Sequence, residues 1–174
     1  MGKAAPKDLK PILEAAFRDY HHEKESRLDP ISLVYRYQTP QDRELVAFLV
    51  ALLSYGNVRT IIQSGNRMLA PMGTSPFEYL VSEAPLNLWN DFKHRFTTGA
   101  DIEIVAHWLR QTLKNYGSIE KFFIHVNPTA EAPMKLKISN FVKGLWSQPV
   151  PKNLKKNLGK RQRNLKYLVS DPEQ

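Results

Sequence analysis

The chain has 174 residues, 42% of them hydrophobic and 24% charged, with a formal charge of +8; this is the composition of a folded protein rather than a disordered one, and the length suits one core better than two. It contains no cysteine, which excludes disulfides, thiolate metal sites, iron–sulfur ligation and a cysteine nucleophile. No segment nears the roughly 18 apolar residues of a membrane span and no apolar run follows the charged start, so the expected compartment is the cytoplasm, with no membrane partner.

In chain order, Leu9, Ile12, Leu13, Ala16, Phe17 and Tyr20 recur at helical spacing and predict an amphipathic helix. Asp29-Pro30 and Thr39-Pro40 each place a capping side chain before proline, the residue suited to a first helical turn, and so each predicts a helix start. The run from Glu44 to Leu53 is apolar nearly all round, which predicts a helix surrounded by protein at the centre of the fold. Ser54-Tyr55-Gly56-Asn57 ends it, with Asn57 placed to cap the next helix, which carries Ile61, Ile62, Met68 and Leu69. Ser75-Pro76-Phe77-Glu78 reads as a capping box.

A looser stretch from Pro85 to Thr97 is anchored by Trp89, Phe92 and Phe96. Thr98-Gly99-Ala100-Asp101 then opens an amphipathic helix ended by Gly117, and Ser118 caps a short successor. A further helix spans Met134 to Trp146, and Pro149 and Pro151 break the pattern after it. No segment alternates strictly, so the expected fold is all-α: a compact bundle of eight to ten helices without a sheet. Residues 1–151 form the helical domain, and 152–174 a basic tail that is a short helix or mobile.

Charge is distributed unevenly. Between Pro133 and Ser170 there are ten Lys or Arg and no Asp or Glu, so this stretch carries +10 and the rest of the chain sums to 8 − 10 = −2. A one-signed field attracts polyanions, which makes DNA or RNA the expected partner, through phosphate contacts that carry no sequence information. The candidate contacts are Lys152, Lys155, Lys156, Lys160, Arg161, Arg163 and Lys166, with Tyr167 beside them. The other reading of these cations is a solvated chain end.

Two further segments carry a functional and a structural reading side by side. Tyr55 and Asn57, followed by Arg59, either line a cleft, the ring stacking on a base, or simply cap two helices. His94 and Arg95 either clamp a phosphate or hold their loop, Arg95 by a buried ion pair. Arg36, between two tyrosines, reads as structural. The five histidines lack ligand spacing, so no metal or other cofactor is expected. The aspartates read as caps and first-turn residues, and no catalytic constellation can be identified.

Two stretches resemble an uncharacterised bacterial protein family of unknown function: Asp29 to Tyr37 running through Asp42 to Phe48 and Ser54 to Val58, and His94-Arg95-Phe96-Thr97-Thr98-Gly99. The resemblance covers about residues 9–151. That family is similar to the helix-hairpin-helix DNA glycosylases in layout, an apolar helix, a polar turn, a second helix and a Ser/Thr-Pro helix start, here Asp42 to Leu80. The resemblance implies a glycosylase-like helical fold. It departs at two places: there is no glycine-containing phosphate hairpin, and after Pro151 the family's Gly-Ser-Ala-Cys-Lys-Arg segment is replaced by Asn153 to Arg161, as in a member whose C-terminal third is missing or diverged. Together these readings give a nucleic-acid-binding helical protein, with two alternatives: a helical module whose exposed apolar face is covered by a protein partner, and a glycosylase- or lyase-like repair enzyme.

Overall fold

The computed structural model describes residues 9–20, 28–154, 164–166 and 168–172. Within them the chain is predominantly helical. Helix α1 spans Lys10–Tyr20, a 3₁₀ helix spans Pro30–Arg36, and α2 (Pro40–Leu52) and α3 (Val58–Leu69) follow, with a 3₁₀ turn at Ala70–Met72. After α4 (Pro76–Val81) come two short strands, β1 (Lys93–His94) and β2 (Thr97–Thr98), then α5 (Gly99–Tyr116), α6 (Ile119–His125) and α7 (Met134–Trp146).

Most helix starts are where the capping residues predict them. Asp29 accepts from the amide of Ile31 at 2.8 Å, Thr39 from that of Asp42 at 3.1 Å, and Asn57 from that of Arg59 at 2.9 Å. Thr98 and Asp101 form the expected reciprocal cap of α5, and Gly117 ends that helix in the left-handed region at φ 81°. The expected capping box at Ser75 does not form, because the Ser75 hydroxyl makes no cap bond to its own helix. The buried carboxylate of Asp42 takes its place, accepting from the Phe77 amide at 2.9 Å and from the hydroxyls of Thr39 at 2.6 Å and Ser75 at 3.2 Å. A charged acceptor reaching across from α2 satisfies the α4 amide better than the local hydroxyl would. Glu44, two residues further along α2, caps α6 similarly, accepting from the amides of Ile119 at 3.0 Å and Glu120 at 2.7 Å.

The centre of the fold is α5 rather than α2. Eleven of the 18 residues of α5 are buried, and it packs against α4, α6, α7 and β2. Helix α2 buries Leu45, Val46, Leu49 and Val50 but turns Ala47 and Ala51 to solvent, so its all-round apolarity reflects alanine on an outer face. Trp108 of α5 meets Trp146 of α7 at 5.2 Å between ring centroids, and Phe141 packs on Phe122 and Phe48 at 5.5 and 5.9 Å.

Two observations differ from the sequence expectation. The β1–β2 pair is a small antiparallel hairpin, with Lys93 opposite Thr98 and His94 opposite Thr97; strands of two residues are too short to leave an alternating pattern. The stretch read as a tail contributes to the core, since Leu154, Leu165, Leu168 and Val169 are all buried in the same cluster as the helices. Burying each such side chain is worth on the order of 1.5–3 kcal/mol, enough to hold these segments against the bundle. By contrast α1 buries none of its residues, and Ile12, Leu13 and Tyr20 of its apolar face are exposed.

Candidate nucleic-acid interface

The α2–α3 turn and the hairpin are one unit. Leu53 closes α2, the Ser54 hydroxyl donates back to the carbonyl of Val50 at 2.9 Å, and Gly56 takes φ 107°, a region strained for any residue with a Cβ. The Tyr55 side chain thereby swings across to the hairpin. Its ring stacks on Phe96 at 4.9 Å and 10° and meets His94 edge-on at 4.8 Å, while its hydroxyl lies 2.5 Å from the Thr97 hydroxyl and donates to the His94 carbonyl at 3.2 Å. Burial raises the Tyr55 phenol above its ordinary value, and the Thr97 hydrogen bond and the Arg95 charge oppose that shift.

His94 and Arg95 take opposite positions. The His94 ring is 2% exposed, with Nδ1 2.9 Å from the Ser64 hydroxyl and Nε2 3.3 Å from the Tyr55 carbonyl. That burial removes it from the proposed phosphate contacts, and its role is to tie the hairpin to α2 and α3. Arg95 is exposed, and no ion pair holds it among the described residues, so the buried pairing weighed from the sequence is not formed.

Arg95 is the first residue of a two-residue hairpin turn and has φ 52°, a region usually left to glycine, asparagine or aspartate. Holding a bulky residue there costs about 1–3 kcal/mol, which the surrounding contacts must supply. Its guanidinium lies over Gly56: a Cβ at residue 56 would come 2.7 Å from the Arg95 Nη1 and displace the end of that flexible side chain, whereas the positive φ is what calls for glycine.

The basic stretch reaches this unit through Asn164, whose side-chain amide donates to the Phe96 carbonyl at 3.2 Å. Lys152 and Lys166 are exposed, as are Asn57 and Arg59 at the start of α3. Lys155, Lys156, Lys160, Arg161, Arg163 and Tyr167 lie outside the described residues. Lys166, two positions beyond Asn164, lines a separate cleft of about 340 Å³ with Lys143 and Trp146. The structure therefore brings Tyr55 and Arg95 together at the hairpin, leaves Asn57 and Arg59 exposed on the adjoining start of α3, joins the basic stretch to the hairpin through the Asn164 side chain, and sets Lys166 in the cleft beside α7.

Sequence reasoning missed Asn164, Ser64 and Thr97 because each acts through one contact more than 29 residues away along the chain. It also missed Lys143 and Trp146 as a pair. Their i, i+3 spacing on α7 was the available signal. Arg36 is exposed and donates to the Asn66 side chain at 2.5 Å. Among the described residues no three His, Asp or Glu side chains are grouped to hold a metal ion, and no helix is long and apolar enough to cross a membrane.

Fold and site thus define a helical protein with a strained, arginine-tipped hairpin beside a basic C-terminal segment. The chain belongs to a family described as protein of unknown function (DUF2400), whose model matches residues 29–174. The match runs past Pro151, where the residue reading placed the departure, and takes in the whole basic stretch; α1 lies outside it. No curated protein and no solved structure matches the chain.

Proposed function

We propose that this protein binds DNA or RNA through phosphate contacts, largely irrespective of sequence, as a helical relative of the DNA glycosylases. The observation that carries the reading is one contact: Asn164, which belongs to a stretch with ten cations and no carboxylate, donates to the Phe96 carbonyl in the turn that presents the exposed Arg95. A solvated chain end would have no reason to bury Leu154, Leu165, Leu168 and Val169. Electrostatic attraction, counterion release and an arginine fork suited to phosphate supply the affinity. The order of α2, polar turn, α3 and the Ser75-Pro76 start of α4 supports the glycosylase likeness. We assign no catalytic role.

The test is a titration of single- and double-stranded oligonucleotides across salt concentrations. Binding should weaken linearly in log–log form, with a slope of about −0.9 per duplex phosphate contacted. Replacing Lys155, Lys156, Lys160, Arg161 and Arg163 by glutamine should flatten the slope by several units. Failure of both oligonucleotides to bind at low ionic strength would end this reading. The exposed apolar face of α1 favours a second one, a module covered by a protein partner; in that case deleting α1 abolishes partner binding and leaves oligonucleotide affinity unchanged.

A further inference from the structure

We propose that the cleft between α7 and the C-terminal segment binds one nucleotide unit, a phosphate together with its attached base. The cleft, about 340 Å³, is lined by Val142, Lys143, Trp146, Lys166, Val169 and Asp171, with Ser147 beside them. That volume is at the lower end of small-molecule pockets, large enough for one ligand unit and too small for a duplex. Its composition is uneven in a way that specifies the ligand. Two valines and the half-buried Trp146 indole make an apolar wall suited to a planar ring, and the lysines at the rim supply positive charge for an anion.

Charge in the cleft is incompletely balanced. Lys143 approaches the Asp171 carboxylate at 3.7 Å, longer than a hydrogen bond, with the Lys143 side chain 56% exposed and that of Asp171 6% exposed. Lys166 has no ion pair with any described carboxylate. Among the described residues that line the cleft, two are lysines and one is a nearly buried aspartate, a net positive lining beside an aromatic wall. The walls are also held in place: the Trp146 indole N–H donates to the Val169 carbonyl at 3.4 Å, and its ring packs on Trp108. A preformed cleft loses little ordering entropy on binding. A phosphate entering between Lys143 and Lys166 would compete with Asp171 for Lys143, so that carboxylate sets the affinity from within the site.

The inference takes its class of ligand from the nucleic-acid reading, but its test is separate. Trp146 is the most exposed of the three tryptophans, Trp89 and Trp108 being buried, so its fluorescence reports the cleft. The intact protein is titrated with a nucleoside monophosphate, the matching nucleoside, inorganic phosphate, and oligonucleotides with and without a 5′-phosphate. The monophosphate should quench the fluorescence saturably, the nucleoside and inorganic phosphate each binding at least about tenfold more weakly. Lys143→Gln and Lys166→Gln should each weaken monophosphate binding about tenfold, and Asp171→Asn should tighten it, a gain that a merely structural aspartate would not give.

Competition by the 5′-phosphorylated oligonucleotide alone identifies the end of a strand as the source; no competition by either oligonucleotide identifies a free nucleotide. Equal affinity for nucleoside and monophosphate, or monophosphate binding unmoved by both lysine substitutions, overturns the proposal. If oligonucleotides bind in a salt-dependent way and the monophosphate does not, the cleft fails while the electrostatic reading stands. The reverse pattern removes that reading and leaves the cleft.

Discussion

Arg95 and Asp42 illustrate how single residues are held here by groups distant in sequence. Arg95 is the only described residue other than glycine with a positive φ, and its side chain is exposed. Arg95→Gly should therefore stabilise the fold by about 1 kcal/mol, a rise of about 3 °C in Tm, while weakening oligonucleotide binding and reducing its salt slope by about one. Thermal unfolding and the salt titration check the two halves; a fall in Tm would show that Arg95 is not strained. Asp42 is the opposite case, buried and accepting from three partners that its removal would leave in want of an acceptor. Asp42→Ala should cost about 3 kcal/mol in a denaturant melt, and Asp42→Asn less, because the remaining amide oxygen still accepts from the Phe77 amide.

Elements are joined here by side chains that cross between them. Glu44 of α2 closes the N-terminus of α6, so Glu44→Ala should destabilise by about 1–2 kcal/mol and speed hydrogen exchange in α6 before it does so in α5. Helix α5 turns Glu103, His107 and Gln111 partly outward along its length, and Lys114 and Asn115 fully outward in its last turn. Burial, reinforced by Arg110, lowers the His107 pKa below 6.5, so the folded state takes up this proton less readily than the unfolded chain. The resulting stability is fully present above pH 6.5, falls as the pH drops below that value, and levels off beneath the folded pKa. His107→Gln should flatten the decline in denaturant midpoint between pH 6.5 and 5.5. Burial raises the Glu103 carboxyl above 4.5, with the opposite sign: its contribution is present at low pH and lost as pH rises through the folded pKa, so Glu103→Gln should steepen the acid-side decline.

Across the whole molecule the charge pattern sets the long-range behaviour. A stretch carrying +10 against −2 elsewhere would attract any polyanion, and that attraction should fade as added salt shortens the screening length to about 8–10 Å near physiological strength. The helical class, the caps at Asp29, Thr39, Asn57, Thr98 and Ser118, the span of α7 and the charge asymmetry were all legible along the chain, because each depends on neighbours within a few residues or on composition alone. Where the reading failed, a distant group had replaced a local one. The expected box at Ser75 gave way to Asp42, the centre of the bundle moved from α2 to α5, and a hairpin formed from strands too short to show a period. The candidate site was legible only in its parts: Tyr55, Asn57, Arg59 and Arg95 were named from local chemistry, but that His94 turns inward while Arg95 turns out depends on Ser64 and Tyr55, 30 and 39 residues away. The sequence by itself determined what helices exist and where positive charge gathers, since backbone capping and net charge are local or additive. Only the tertiary structure decided which cations share a surface and which polar groups are spent on the fold, since those outcomes depend on packing between segments that are far apart along the chain.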